Sequence, residues 1–232
     1  RRPPRATLFP YTTLFRSLPL GNPLLRYDLR LLEKGQIYGQ REDRVLSFEE
    51  LLGALSRRRV VLLGETHDNL EQHRFQARVV EALAALGPLV VGMEFFTPAD
   101  DAVLAEYTSE RIGLEAMLVR ANWPEQGGFN YRYYRPILEA ARGAGAALAG
   151  INVPREVVRA VSRGGLEALS SEQRGLFPPV DTDEPGHRYL IRTIFGRSAV
   201  ADQEFFERFY AAQCIWDTAM AANPLAAPER AG

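Results

Sequence analysis

The sequence predicts an α/β fold in which a mostly parallel sheet is flanked by helices and accompanied by an additional helical subdomain. Three short apolar runs, at residues 60–63, 89–93 and 147–152, have the length and composition of buried strands. Amphipathic helical stretches separate these runs, and parallel strands need crossovers of this kind. Further helical patterns follow the third run, and the longest covers residues 199–222. The fold class follows from this order of elements.

Length, charge and cysteine usage restrict the possible functions. The 232 residues fit one domain with an extension. The net charge of −1 gives no general attraction to nucleic acid, so we expect no nucleic-acid partner. The single cysteine, Cys214, lies in an apolar helical run, which favours a buried structural thiol over a nucleophile.

The two ends of the chain differ from the rest. Residues 1–17 contain four arginines, three prolines and no acidic residue, and we interpret them as a non-native artefact. We expect the domain itself to span residues 18–222. Residues 223–232 contain Pro224 and Pro228, which predicts an irregular tail.

Local patterns predict the elements of the first half. Residues 36–40 and 44–46 favour a short hairpin. Ser47 and Glu50 have the spacing of a capping box, which predicts a helix over 48–57. Asn69 is expected to cap the next helix, which ends at residues 87–88. Its expected buried stripe consists of Phe75, Val79, Leu83 and Leu86.

Capping residues also divide the second half into helices. Thr97 with Pro98 opens one helix, and Ser109 is expected to cap another. Helices are predicted over 136–145, from Pro154 to the glycines at 164–165, and from Ser170. Residues 177–186 are rich in proline and predict a loop, beside which His187 is expected to be exposed.

Acidic and histidine side chains follow the first two predicted strands. Glu65 and His67 come after residues 60–63, and Glu94 comes after residues 89–93. If the strands are neighbours, their ends lie about 5 Å apart, and two close carboxylates raise the pKa of one of them. Such a group acts as a general acid or base, and His67 can share the proton or bind a metal. The alternative is a structural polar network that holds loop amides and an arginine, and the residue spacing leaves both interpretations open.

Two further features have a functional and a structural interpretation. His73 lies one helical turn beyond the cap, where its side chain points either to the site or to solvent. Residues 123–135 contain five aromatic side chains. Tyrosines here either cover the edge of the core or line a flat apolar pocket, where a phenol can ligate ferric haem iron.

Five segments together resemble a known family. They are VVLLGETHDNLEQHRFQ at 60–76, GMEFF at 92–96, FNYRYYRPILEAAR at 129–142, GINVPRE at 150–156 and QCIWDTAMA at 213–221. The chain is similar, over residues 44–222, to the ChaN-like haem-binding uptake proteins of the Tiki and erythromycin-esterase-like superfamily. The resemblance implies a haem-binding protein of haem and iron uptake in the bacterial cell envelope, as a membrane-anchored lipoprotein or a periplasmic protein.

The resemblance also implies a mode of binding. In that family haem is held at a homodimer interface, where a tyrosine coordinates the iron and a histidine of the partner subunit assists. Tyr134 and then Tyr131 are the tyrosine candidates, and His67 and His73 are the histidine candidates. Haem-transport components of the cell envelope are the implied partners.

Hydrolases of the same superfamily give the alternative function. A metal-dependent or acid–base hydrolase of the esterase or peptidase type would use Glu65, His67 and Glu94, with a divalent metal ion as the alternative cofactor. We prefer the non-enzymatic, haem-binding function because the motifs fit the ChaN-like branch better. Members usually continue past the helix around 213–221 to a further strand with a Gly-His segment, so we expect this chain to be truncated at its C-terminus.

Overall fold

The computed structural model describes residues 32–126, 129–195 and 202–231. The expected artefact at residues 1–17 lies outside these ranges. The strands are β1 (Ile37–Gly39), β2 (Arg44–Leu46), β3 (Val90–Met93) and β4 (Ala147–Gly150). The helices are α1 (Phe48–Leu55), α2 (Leu70–Ala84), α3 (Asp101–Thr108), α4 (Leu114–Arg120), α5 (Trp123–Gln126), α6 (Arg135–Gly143), α7 (Arg155–Gly164), α8 (Ser171–Arg174), α9 (Pro185–Phe195) and α10 (Gln203–Ala231). Within the described residues, no helix combines the length and the apolar character needed to cross a bilayer.

The hairpin and the capping box near the start of the described chain are confirmed. β1 and β2 pair antiparallel, with Ile37 opposite Leu46. Ahead of α1, the Ser47 hydroxyl accepts from the Glu50 amide at 3.1 Å, and the Glu50 carboxylate accepts from the Ser47 amide at 2.8 Å. These two bonds satisfy amides that have no partner inside the helix.

Residues 60–63 do not form the strand that their apolar sequence predicts. Val61 and Leu63 are half-buried, whereas Val60 and Leu62 are exposed, Leu62 by 87%. This alternation is that of an extended chain with one open face. The described strands pair with one another and not with this segment, and the Leu63 carbonyl accepts instead from the Gln76 side chain of α2.

The cap of α2 is confirmed, but its buried face differs from the expected one. The Asn69 side chain accepts from the amides of Glu71 and Gln72. Of the expected stripe only Val79 is buried, and Phe75 and Leu86 are exposed. The buried residues are His73, Gln76, Ala77, Val79 and Val80. The face is rotated because α2 packs on α6 and also directs polar side chains at the segment before it.

The α/β fold class is confirmed around a small parallel sheet. β3 and β4 pair parallel, with Val90 opposite Ala147 and Met93 opposite Gly150. α3, α6 and α10 contact this sheet, and α7 packs on α10 as part of the helical subdomain. A Cβ on Gly150 would lie 2.0 Å from the Thr97 carbonyl oxygen, so only glycine permits this close approach. It fixes the turn after β3 against the end of β4.

Ser109 lies at the end of a helix rather than at the start of one. Its hydroxyl donates to the Ala105 carbonyl at 2.7 Å, which closes the last turn of α3. Gly113 occupies the cap position of α4 instead. The expectation was wrong because serine can also bond to the carbonyl four residues before it. Thr97 and Ser170 do occupy the cap positions of helical turns, as predicted.

His187 is neither in a loop nor simply exposed. It lies in the first turns of α9, where its Nε2 is 2.9 Å from Asp217 Oδ2 and its Nδ1 is 3.2 Å from the Tyr210 hydroxyl. The proline-rich pattern was misleading here, because Pro185 is compatible with the first turn of a helix.

The C-terminal residues 223–231 are helical, which corrects the expected irregular tail. α10 continues through Pro224 and Pro228. Proline removes one amide donor at each position, but tertiary contacts hold this end: Asn223 donates to the Ile151 carbonyl at 2.9 Å and Ala227 is buried. Cys214 is buried as predicted, and burial raises the pKa of its thiol, which agrees with a structural role.

Candidate functional site

The five side chains singled out as Glu65, His67, His73, Glu94 and Tyr134 lie together in one cluster. Glu65 and His67 are on the segment before α2, and His73 is on α2 itself. Glu94 follows β3, and Tyr134 occupies the cap position of α6. The strand-end argument therefore placed Glu65 and Glu94 correctly near each other, although residues 60–63 are not a strand.

Glu65 is the centre of the buried half of this cluster. Its Oε1 lies 2.6 Å from His67 Nδ1 and accepts from the Tyr134 hydroxyl at 2.7 Å. Its Oε2 contacts His73 Nε2. His73 is 0% exposed and Tyr134 is 2% exposed. One carboxylate thus contacts three side chains, and two of these, His73 and Tyr134, are buried.

The contacts of His67 leave one ring nitrogen available. A carboxylate only accepts hydrogen bonds, so the proton of the neutral ring is on Nδ1, which faces Glu65. The other nitrogen, Nε2, lies 3.7 Å from Glu94 Oε1, which is beyond hydrogen-bond distance. The side chain is 36% exposed. A histidine with Nδ1 held by a carboxylate and Nε2 open is the usual arrangement of a metal-ligating imidazole.

Tyr134 supports this arrangement from inside. Its hydroxyl is 2.9 Å from His67 Nδ1 as well as bonded to Glu65. Burial raises the pKa of the phenol well above its ordinary value, and the hydrogen bond to Glu65 raises it further. The phenol therefore stays protonated and orients Glu65 and His67.

Aromatic rings form a wall beside His67. Its ring centroid is 4.5 Å from that of Phe129 and 5.3 Å from that of Phe95. Phe95 packs on Trp123 at 5.4 Å, and Trp123 Nε1 donates to the Phe129 carbonyl at 3.0 Å. Phe129 is 39% exposed, whereas Trp123 is buried. The aromatic segment thus packs on the core through Trp123 and presents Phe129 to solvent.

Two glutamines of α2 fix the backbone that carries Glu65. Gln76 Nε2 donates to the Leu63 carbonyl at 3.0 Å, and Gln72 Oε1 accepts from the Thr66 amide at 2.5 Å. The sequence analysis missed both residues, and it also missed Phe95. Adjacency to Glu94 was the available signal for Phe95, but nothing distinguishes Gln72 and Gln76 from surface glutamines.

Comparison with known proteins places this chain in a family. The family model described as haem-binding uptake, Tiki superfamily, ChaN matches residues 51–231. The chain belongs to this family. The match includes residues 223–231, which the sequence analysis had left outside the domain.

Two individual proteins are similar to this ChaN-family chain. One is ChaN from Campylobacter jejuni, whose structure is described as showing cofacial haem binding. The two structures match over 83% of this chain and 76% of the Campylobacter chain, with a TM-score of 0.66. At 17% identity this similarity concerns the fold. The chloroplastic protein RETICULATA-RELATED 5 of Arabidopsis thaliana is 28% identical over 161 residues, 66% of this chain. The chain spans only about a fifth of that relative, 21% of its length.

The candidate residues of this ChaN-family chain differ in access. Tyr134 and His73 are buried, His67 and Glu94 reach solvent, and Tyr131 is half-buried. Among the residues that the structure describes, no group of three or more His, Cys, Asp or Glu side chains is arranged to hold a metal ion.

Glu94 gives the site a pH dependence that can be measured. Partial burial raises the pKa of its carboxyl above 4.5; His67 opposes this shift, and the charge of Glu65 adds to it. Folded Glu94 therefore retains its proton at a pH where the unfolded chain has lost it. We expect the free energy of unfolding of the parent to fall, relative to that of Glu94→Gln, as pH rises above 4.5.

Urea denaturation of both proteins between pH 4.5 and pH 8 measures this difference. The effect is small because Glu94 is nearly half exposed. Glu71→Gln, at an exposed carboxylate of α2, serves as the control and should show no such trend. A difference between Glu94→Gln and the parent that does not change with pH would contradict the assignment.

Proposed function

We propose that this chain binds haem for bacterial haem and iron uptake, and that the haem lies over the surface formed by His67, Phe95 and Phe129. The observation that carries the proposal is the His67 imidazole: its Nδ1 is held by Glu65, its Nε2 lies 3.7 Å from Glu94 without a hydrogen bond, and the side chain is 36% exposed beside Phe129. Membership of the haem-binding uptake family supports it.

The residues at this surface fit the chemistry of haem. A porphyrin is flat and largely apolar, and aromatic rings provide a matching contact area. Its iron accepts an imidazole nitrogen or a phenolate oxygen as axial ligand. The hydrogen bond from Nδ1 to Glu65 orients the imidazole and increases the basicity of Nε2. The bound haem is the cargo, and it supplies the iron that uptake delivers.

The tyrosine ligand that the family resemblance implies is assigned to Tyr131 in this proposal. Its side chain is half-buried, and in the dimer proposed below it would bind the iron from the face opposite to His67 of the other copy. Tyr134 is the weaker candidate, because its phenol is buried, already bonded to Glu65 and resists ionisation. We assign Tyr134 and His73 to holding Glu65, and through Glu65 to positioning His67.

A homodimer is part of the proposal for a geometric reason. The surface at His67 is open and covers one face of a flat ligand, so a second copy of the chain would cover the other face. The cofacial haem binding named for Campylobacter jejuni ChaN is compatible with such an arrangement. We further propose that the protein acts in the cell envelope, as a lipoprotein or periplasmic protein, and passes haem to transport components there.

A hemin titration followed by absorbance tests the proposal. We expect a saturable Soret band, and light scattering with and without hemin should reveal the dimer. Tyr131→Phe should remove the spectrum of a high-spin ferric tyrosinate, whereas Tyr134→Phe should only weaken binding. Tyr210→Phe is a matched control, since Tyr210 is a buried tyrosine near a different histidine, His187. Absence of saturable binding by the parent would contradict the function.

A second candidate function, acid–base hydrolysis, is favoured by one observation. His67 lies between the carboxylates of Glu65 and Glu94, and the raised pKa of Glu94 suits a proton donor that reaches solvent. An ester and peptide panel would then show turnover that is lost in both Glu65→Gln and Glu94→Gln. A parent protein that binds hemin but hydrolyses no member of the panel would eliminate this candidate.

A further inference from the structure

Arg155 lies at the edge of the surface assigned to haem. It is the first residue of α7, and it follows β4 by a short connection. In that connection, the side-chain amide of Asn152 donates to the backbone carbonyl of Glu94 at 2.7 Å, so the connection adjoins the site. Val153 and Val157 on either side of Arg155 are buried, which fixes the backbone and leaves the arginine side chain on the outside.

A hydrogen bond holds the guanidinium of Arg155 towards the aromatic wall. Its Nη1 donates to the Glu125 carbonyl in α5. In the same helix, Trp123 packs on Phe95 and donates to the Phe129 carbonyl. Both ends of this arginine, its backbone and its guanidinium, are therefore tied to elements that form the surface beside His67.

Among the described residues, Arg155 has no carboxylate within ion-pair distance, whereas eight other arginines do. Ion pairs with glutamates occupy Arg44, Arg74, Arg120, Arg135, Arg142, Arg174, Arg188 and Arg208. A guanidinium has five N–H donors in a planar fork, and the bond to Glu125 uses only one group. The remaining donors match the geometry of a carboxylate.

The negative charge at the site favours a nearby cation for binding an anionic ligand. Glu65 and Glu94 are both carboxylates, and they repel an anionic ligand that approaches His67. Haem carries two propionate carboxylates at one edge of an otherwise apolar ring. A fixed cation at the rim allows the ring to lie on the aromatic wall with its charged edge turned away from Glu94.

We propose that Arg155 binds a propionate carboxylate of haem and thereby sets the orientation of the ring on the surface. This inference rests on the proposed haem-binding function. It makes Arg155 a specificity-determining residue, one that distinguishes a porphyrin with free carboxylates from the same porphyrin without them.

The test compares hemin with hemin dimethyl ester, in which both carboxylates are uncharged, in one detergent-containing buffer. We expect the parent to bind hemin about tenfold more tightly than the ester, the effect of one charge-assisted contact at an exposed rim. Arg155→Ala should bind the ester as the parent does and lose the preference for hemin. Arg155→Lys should keep part of the preference, because it retains the charge but not the fork.

Arg159→Ala is the matched control, because Arg159 is an exposed arginine one turn further along α7. Unchanged ester binding by Arg155→Ala shows that the surface itself is intact. Arg132, an exposed arginine between Tyr131 and Tyr133, is the rival candidate. If Arg155→Ala keeps the preference, or if Arg132→Ala removes it instead, the inference is wrong while haem binding stands. If the parent binds neither compound, the proposed function fails and the inference fails with it.

Discussion

His67→Ala is expected to weaken hemin binding by about a hundredfold or more, because it removes the exposed nitrogen proposed to face the iron. Loss of a residue that only orients a metal ligand typically costs tenfold to a hundredfold in affinity, so loss of the ligand itself should reach at least the upper figure. The measurement is the hemin titration, with the Soret position recorded alongside the affinity.

A matched control exists for this variant. His187 is also partly buried, also next to a tyrosine hydroxyl and also paired with a carboxylate, but it joins α9 to α10. His187→Ala should leave hemin affinity unchanged. Added imidazole should restore part of the spectrum of His67→Ala, since it supplies the missing nitrogen to an otherwise intact surface. Parent-like affinity of His67→Ala would show that the iron is held elsewhere.

Glu65→Ala should lower the free energy of unfolding by about 3 kcal/mol, because it leaves the buried groups of His73 and Tyr134 without their acceptor. Glu65→Gln retains an acceptor oxygen and the side-chain volume, so its loss should be smaller. Urea denaturation measures both. Glu71→Ala removes an exposed carboxylate from α2 and should change stability by no more than about 0.5 kcal/mol.

A double variant separates the network from simple loss of volume. In a Tyr134→Phe background there is no longer a phenol to leave unpaired, so Glu65→Ala should cost less than it does in the parent. Equal losses in the two backgrounds would mean that Glu65 and Tyr134 are not energetically coupled, contrary to the hydrogen bond between them.

Elements defined by short-range chemistry were predictable from the sequence. The capping boxes at Ser47 and Ser170 and the cap at Asn69 involve residues two or three positions apart, so the sequence contains all the partners. Residues 60–63 show the opposite case. Their apolar composition indicates an extended segment, but whether such a segment joins a sheet depends on which partner lies beside it. Here the partner of the Leu63 carbonyl is the Gln76 side chain of α2.

The location of the candidate site was predictable from the sequence, but the burial of its individual side chains was not. The carboxylates were expected to converge because both follow extended segments, and they do. The segment FNYRYYRP, however, contains three tyrosines within four residues, and only packing decides that Tyr134 points inward while Tyr131 is half-buried. In the same way, the burial of His73 depends on which face α2 turns to α6, and the apolar stripe indicated a different face.

The anchoring of residues 63–66 by side chains of α2, rather than by a strand ladder, has a consequence for motion. Opening of this segment requires that Gln72, His73 and Gln76 of α2 release their contacts and that Tyr134 releases Glu65, while the small sheet of β3 and β4 can stay intact. Such local opening has a lower free energy than global unfolding, and amide hydrogen exchange reports it separately. A ligand held by His67 would oppose this release. Haem binding should therefore slow amide hydrogen exchange around Glu65 more than in the β3–β4 sheet, because the bound ligand stabilises the segment that holds it.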